Sequence, residues 1–413
     1  MLKSVEDITT TKKRLKIEVP ADTIEKEIRE SLEEMRRRTT IPGFRQGKAP
    51  LTLIERRFGK KVEEKVLDRM IPRVYLDALS AADITPIADP VVEETMDFKR
   101  NQPLSLTFTV EILPKIDNLQ YEHIPVRDIA VTVEDADVEG VLRRSQEGRA
   151  TYEPSEGPVD RNDLITFDYS LGAEGVEAKD QLFKVGGDLF PEDFSVQLIG
   201  KKKGDGFTVE TTFPEGHLNE KLAGRHAAVE VVVKDIKKAK LPDIDDEFAK
   251  DLGFDTLSAL REHIREEISR AKKAEIVKIQ KAEIMKKLLD SHEFDIPESL
   301  LEHQVALLAQ NERREGTSDR EGKDLEELRA RALRSVKGSM ILSAVGNKEE
   351  ISVSEEDLRN TLSSLAARVG VAPEALMKFY ISRDGSLDGL KNSIFEEKVL
   401  DFILSKAVFE KGD

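Results

Sequence analysis

Residues 41–50 read IPGFRQGKAP. Two prolines, two glycines, one aromatic and two cations share ten positions, and the patterns on either side decide what they belong to. Upstream, Ile24, Ile28, Leu32 and Met35 recur at helical spacing; downstream, Phe58, Val62, Val66 and Met70 do the same. The stretch is therefore a loop between two helices. Further out, KRLKIEV alternates Leu15, Ile17 and Val19 with polar residues, and LSLTFTVEI alternates Leu104, Leu106, Phe108, Val110 and Ile112. Both read as strands with one buried face. Asp22 with Glu25 reads as a capping box opening the first helix. Residues 1–113 are thus expected to form one α+β domain with the loop projecting at one end.

The loop has a physical character of its own. Pro42 and Pro50 fix φ near its two ends and lower the entropy lost on docking. Gly43 and Gly47 permit positive φ. Phe44 is expected at the tip, because so tight a loop has little interior. Arg45 offers a planar fork suited to phosphate or carboxylate, and Lys48 a point charge. The alternative is an ordinary helix–helix turn with Phe44 folded into the core.

The charge supports the first reading. The chain carries 65 Lys+Arg against 81 Asp+Glu, a formal net charge of −16. Residues 36–73 hold 12 cations against 4 acids, whereas residues 113–413 hold 44 against 61. A local surplus of this size can bind a phosphate backbone, while an acidic remainder limits indiscriminate binding. The same run can also be no more than a solvated helix face.

Other chemistries fit poorly. Gly43 to Ala49 superficially looks like a phosphate-binding loop of nucleotide hydrolases. Three residues separate its glycines where four are needed, and Ala49 stands where a Mg²⁺-binding hydroxyl is required. Cys is absent, which excludes disulfides, thiolate catalysis and cysteine metal sites. The six histidines, His123, His217, His226, His263, His292 and His303, are scattered without metal-ligand spacing. No metal or other cofactor is expected. Nor does any apolar run reach the ~20 residues that span a bilayer, and the first residues lack a secretory h-region. The expectation is a soluble, cytoplasmic protein.

Beyond residue 113, Pro114 and Pro125 punctuate a linker over 114–149 that ends in a helix near 134–148. Residues 150–240 contain short strand-like runs, among them GFTVETTF and AAVEVVVKDI, and read as a small antiparallel β domain. From residue 241 to 413 helical stripes dominate, including Leu300, Leu301, Val305 and Leu308, then Met340, Ile341, Leu342 and Val345. A polar connector, 311–324, interrupts them. The fold class is α+β multidomain: an N-terminal α+β domain, an antiparallel β middle domain and an elongated all-α C-terminal domain.

Ile41-Pro42-Gly43-Phe44-Arg45-x-Gly47-Lys48-x-Pro50 resembles the ribosome-docking signature of bacterial trigger factors, matching at eight positions. The resemblance extends over the whole chain, through Ile71-Pro72, the Gly200–Asp205 turn and LPDIDDEFAKDLG at 241–253. It implies an ATP-independent chaperone that docks beside the nascent-chain exit, on a ribosomal protein and adjacent RNA, and shields emerging polypeptides. Gly43, Phe44, Arg45, Gly47, Lys48 and Pro50 inherit the docking role. Self-association away from the ribosome is compatible with the resemblance and not required by it.

The resemblance also implies an FKBP-like middle domain. Prolyl isomerisation there needs an apolar aromatic cup that favours the twisted amide, with no proton transfer. The aromatics available are Phe167, Tyr169, Phe183, Phe190, Phe194, Phe207 and Phe213, of which Tyr169 and Phe194 are the candidate catalytic pair. Each also suits the ordinary core of a small β domain. The sequence departs from the family pattern at three places. No Phe-Asp pair lies between Tyr169 and Phe183, Phe190-Pro191-Glu192-Asp193-Phe194 replaces Ile-Pro-Gly-Phe, and His217 stands where a tyrosine is expected. Isomerase activity is therefore expected to be weak or lost. Two competing readings are a free-standing prolyl isomerase, which the missing cup residues disfavour, and an RNA-binding assembly factor. The second is disfavoured because few aromatics beyond Phe44 and Phe58 interleave with the cations.

Overall fold

The computed structural model describes residues 2–93, 98–171, 176–187, 190–212, 224, 226–314, 323–384 and 386–411. Packing divides the chain into two compact units, Met1–Asp128 together with Lys278–Asp413, and Ile129–Val277.

The first unit opens with strands β1 (Leu2–Asp7) and β2 (Lys12–Val19), helices α1 (Ala21–Arg38) and α2 (Leu51–Ala82), then β3 (Val91–Val92) and β4 (Leu104–Glu111). The strands form an antiparallel sheet in the order β1-β2-β4-β3. Its central register pairs Leu15 with Phe108, Ile17 with Leu106 and Val19 with Leu104. These apolar faces are buried, and Ile24, Ile28 and Leu32 of α1 and Ile54, Val62, Val66 and Met70 of α2 complete the same core. Alternation of period two against a helical stripe thus yields a sheet with a helical hairpin packed on it.

The first helix corrects one expectation. Pro20 is its N-cap and makes no side-chain cap bond. Asp22 instead accepts the N–H of its neighbour Thr23. Glu25 turns away from the helix start to the guanidinium of Arg100. Both carboxylate oxygens of Glu25 are taken up by the guanidinium of Arg100, a bidentate charge-assisted pair, so the box does not close.

Residues 114–128, read from the sequence as part of a linker, are packed. Strand β5 (Pro125–Asp128) pairs in parallel with the C-terminal strand of the chain, and Tyr121, Ile124 and Val126 are buried.

The second unit begins with α3 (Asp135–Glu147) and a sheet of β6 (Thr151–Pro154), β7 (Leu164–Leu171), β8 (Val176–Lys184), β9 (Gly206–Thr212) and β10 (His226–Lys240), with α4 (Glu192–Leu198) crossing over it. Every pairing is antiparallel. The long strand β10 bonds β7 on one side, and β9 and then β6 on the other. A short helix, α5 (Asp246–Asp251), is capped by Asp245, whose side chain accepts the Phe248 N–H. Val138 and Leu142 of α3 pack with Phe248 and with Leu260 and Ile264 of α6 (Leu257–Ser291), which carries the chain into the first unit.

There, α7 (Glu298–Arg314), α8 (Lys323–Lys348), α9 (Glu355–Val369), α10 (Pro373–Asp384) and α11 (Asp388–Ser405) follow, and the chain ends in β11 (Val408–Lys411). Ile284 and Leu288, Ile341, Leu342 and Val345, and Val399 and Ile403 form one core with Tyr121 and Val126. The Met340–Val345 stripe is therefore mainly core, whereas Leu300, Val305 and Leu308 beside buried Leu301 are half-buried. Glu111 accepts the Ser299 N–H, and Thr10 donates to Asp295, tying the N-terminal sheet to this helical part. Of the polar connector, residues 315–322 lie outside the described residues.

Candidate docking site

The loop between α1 and α2 is two β-turns in tandem. In the first, the Phe44 N–H donates to Ile41 O at 3.0 Å, with Pro42 and then Gly43, at φ +87, in the middle. Proline second and a positive-φ residue third define a type II turn, a geometry that glycine adopts without steric cost. In the second, the Lys48 N–H donates to Arg45 O at 2.9 Å with Gly47 at φ +77. Ile41 and Ala49 are buried at the two feet of the loop and anchor it in the domain core. Pro50, with φ −59, caps α2. The Gln46 side-chain amide donates to Arg37 O at 3.3 Å, so the loop folds back on the end of α1.

This construction leaves Phe44 and Arg45 at the junction of the two turns. Phe44 is 42% exposed, while Arg45, Gln46 and Lys48 are exposed too. Arg37 and Arg38 make intrahelical pairs with Glu33 and Glu34. Arg45, Lys48, Arg56, Arg57, Lys60 and Lys61 have no carboxylate within 4 Å among the described residues. Arg57 lies 5.6 Å from the ring centroid of Phe58, which is half-buried against the domain core. Gly43, Phe44, Arg45, Gly47, Lys48 and Pro50 thus come together as one rigid, cationic surface feature with an apolar tip. The alternative of Phe44 buried in its own core does not describe this chain.

The aromatics of the middle sheet form a second cluster. Phe167, Phe183 and Phe194 are fully buried, and Phe190 stacks on Phe194 at 4.4 Å between centroids. Phe194 therefore has no open face and serves as core. Tyr169 is half-buried at the margin, edge-on to Phe190 at 5.9 Å. Beside it, the Asp168 carboxylate accepts the Asp180 N–H and faces Lys234, both of which hold its pKa below the ordinary range. Phe213 and His217 lie outside the described residues.

The family Bacterial trigger factor protein (TF) matches residues 1–145, and Bacterial trigger factor protein (TF) C-terminus matches residues 256–405. The trigger factor of Thermodesulfovibrio yellowstonii is 40% identical over 407 residues, covering 98% of each chain. The chain belongs to the bacterial trigger factor family. The trigger factor of Halothermothrix orenii is 32% identical, with 97% of each chain covered. A solved trigger factor chaperone, described for promiscuous substrate recognition in folding and assembly activities, superposes with a TM-score of 0.60 at 25% identity, covering 98% of this chain and 99% of its own.

A trigger factor must also present apolar surface. Among the described residues, Leu307 of α7, Leu325 and Leu333 of α8, Val369 of α9, Val371, and Phe379 and Ile381 of α10 are exposed. Sequence periodicity did not identify them, because they lie off the stripes that form the core. No described helix is long and apolar enough to cross a membrane.

Proposed function

We propose that this chain is tethered at the ribosomal exit site by the 41–50 loop, in the cytoplasm, and shields emerging apolar segments with the exposed side chains of its helical part. Chaperone activity goes with the family; the docking chemistry is read from the loop. Phe44 is an apolar anchor for a ribosomal protein, and Arg45 and Lys48 face neighbouring RNA phosphate. The observation that carries this reading is an exposed Phe44 on a pre-organised double turn whose cations have no internal acid. Tethering raises the effective concentration of client surface, so weak contacts suffice and no nucleotide is needed. A client leaves when it buries its own apolar surface.

The test is co-sedimentation with ribosomes. Burial of one phenylalanine contributes about 2 kcal/mol, roughly thirtyfold in affinity. Phe44→Ala with Arg45→Ala is expected to lose at least that much, with an unchanged thermal melt. Undiminished ribosome binding would defeat the assignment. In the middle sheet, the sealed Phe194 supports weak or absent isomerase activity. The full chain is expected to accelerate cis–trans exchange of a prolyl peptide only marginally, and turnover at ordinary FKBP rates would contradict this.

A further inference from the structure

Arg100 lies in the loop before β4, outside every motif. Its guanidinium meets three carboxylates at once. Nε and Nη2 take Glu25 of α1 at 2.8 and 2.6 Å, and Nη1 takes Glu55 and Glu63 of α2, both at 3.0 Å. The neighbouring Asn101 N–H also donates to Glu25 at 2.9 Å. Glu55 and Glu63 are two of the four acids in the basic segment 36–73. Between them on α2 lie Arg56, Arg57, Lys60 and Lys61, all exposed. Glu55 follows Pro50 by about one and a half helical turns, roughly 8 Å, within one Debye length of the docking loop, whereas Glu63 lies roughly 20 Å along the helix and acts on Lys60 and Lys61 beside it.

We propose that Arg100 is a positioning residue for ribosome docking: it neutralises Glu55 and Glu63 within the basic face and clamps the α1–α2 hairpin that presents Phe44 and Arg45. The inference rests on the docking role of the loop. Removing Arg100 leaves three carboxylates converging on one recess. The charged groups that face it are Asp22, Glu25, Lys26 and Arg29 from α1, and Glu55 and Glu63 from α2. Lys26 and Arg29 make no ion pair with Glu55 or Glu63 among the described residues, so they do not take the place of Arg100. The uncovered negative charges of Glu55 and Glu63 then oppose phosphate.

The experiment measures ribosome affinity of the full chain at low and at high salt. Arg100→Gln is expected to bind about tenfold more weakly than wild type at low salt, the deficit shrinking as salt screens the uncovered carboxylates. Adding Glu55→Gln and Glu63→Gln to Arg100→Gln is expected to restore most of the affinity. A purely structural role gives a loss that neither salt nor the added substitutions repair, and that result overturns the proposal. Wild-type affinity of Arg100→Gln also overturns it, provided Phe44→Ala with Arg45→Ala weakens binding about thirtyfold or more. If that double variant binds like wild type, the docking reading itself fails. Should Arg100→Gln not fold, Glu55→Gln with Glu63→Gln on the native background carries the test. Those two changes are expected to tighten binding about threefold, and unchanged affinity refutes the proposal.

Discussion

A β-carbon on Gly346 would stand 2.2 Å from Cζ of Phe395 and 2.9 Å from a methyl carbon of Val399. The glycine is therefore what lets α8 and α11 approach, and the same contact helps to bury Val345 and Val399. Gly346→Ala adds helix propensity of about 1 kcal/mol, yet overpacks a tight core at a cost of about 1–3 kcal/mol. Packing prevails because the clash involves a ring held by its neighbours. The variant is expected to melt several degrees lower, and Phe395→Leu in the same chain to recover part of the loss. An unchanged or raised Tm would show that the two helices separate freely. None of this was legible in the sequence, where a glycine inside a helical run reads only as a weak spot. Gly43 and Gly47 were legible as positions that permit positive φ, because so tight a loop between two helices calls for them. Arg100 was invisible for the opposite reason: its partners lie 37 to 75 residues away.

At the scale of the element, helical stripes were legible where helix ends and short long-range pairings were not: the capping box read at Asp22 and Glu25 does not form, and the one that closes was not singled out. Helix α9 starts at a closed capping box, with Ser354 accepting the Asp357 N–H at 3.1 Å and Asp357 accepting the Ser354 N–H at 2.8 Å. Lys398 of α11 adds a 2.6 Å ion pair to the same carboxylate. Together they lower the Asp357 pKa from 3.8 to about 2, the Lys398 bond being the largest cause. A depressed carboxylate pKa stabilises the fold above the ordinary value and loses that contribution as pH falls through the folded one. Asp357→Asn is thus expected to melt below wild type at pH 7, with the gap narrowing from pH 4 to pH 2. A gap independent of pH would mean that the carboxylate charge contributes nothing. Strands β5 and β11 lay beyond such reasoning. Each has only four residues, and Pro125 pairs with Val408, across about two thirds of the chain. What holds them is the core around Tyr121, Ile124 and Val126, and a proline-flanked sequence gives no sign of that burial.

Across the whole molecule the decisive property is uneven charge. A net charge of −16 disfavours RNA over the chain as a whole, while residues 36–73 hold 12 cations against 4 acids. Arg45, Lys48, Arg56, Arg57, Lys60 and Lys61 are free of acidic partners among the described residues and so are available to phosphate. If half of them engage it, affinity falls with log salt at a slope of about −2 to −3, roughly thirtyfold between 50 and 200 mM. Phe44 acts by apolar burial, which salt does not screen. The two tip residues are thereby separable on the intact chain. Phe44→Ala is expected to lower ribosome affinity about equally at every salt concentration and leave the slope unchanged. Arg45→Ala is expected to reduce the slope by about 1, so that its deficit shrinks as salt rises. Equal slopes for wild type and Arg45→Ala would place that guanidinium on protein, not phosphate. A flat response in wild type would leave the apolar tip as the sole anchor and strip the basic face of its role.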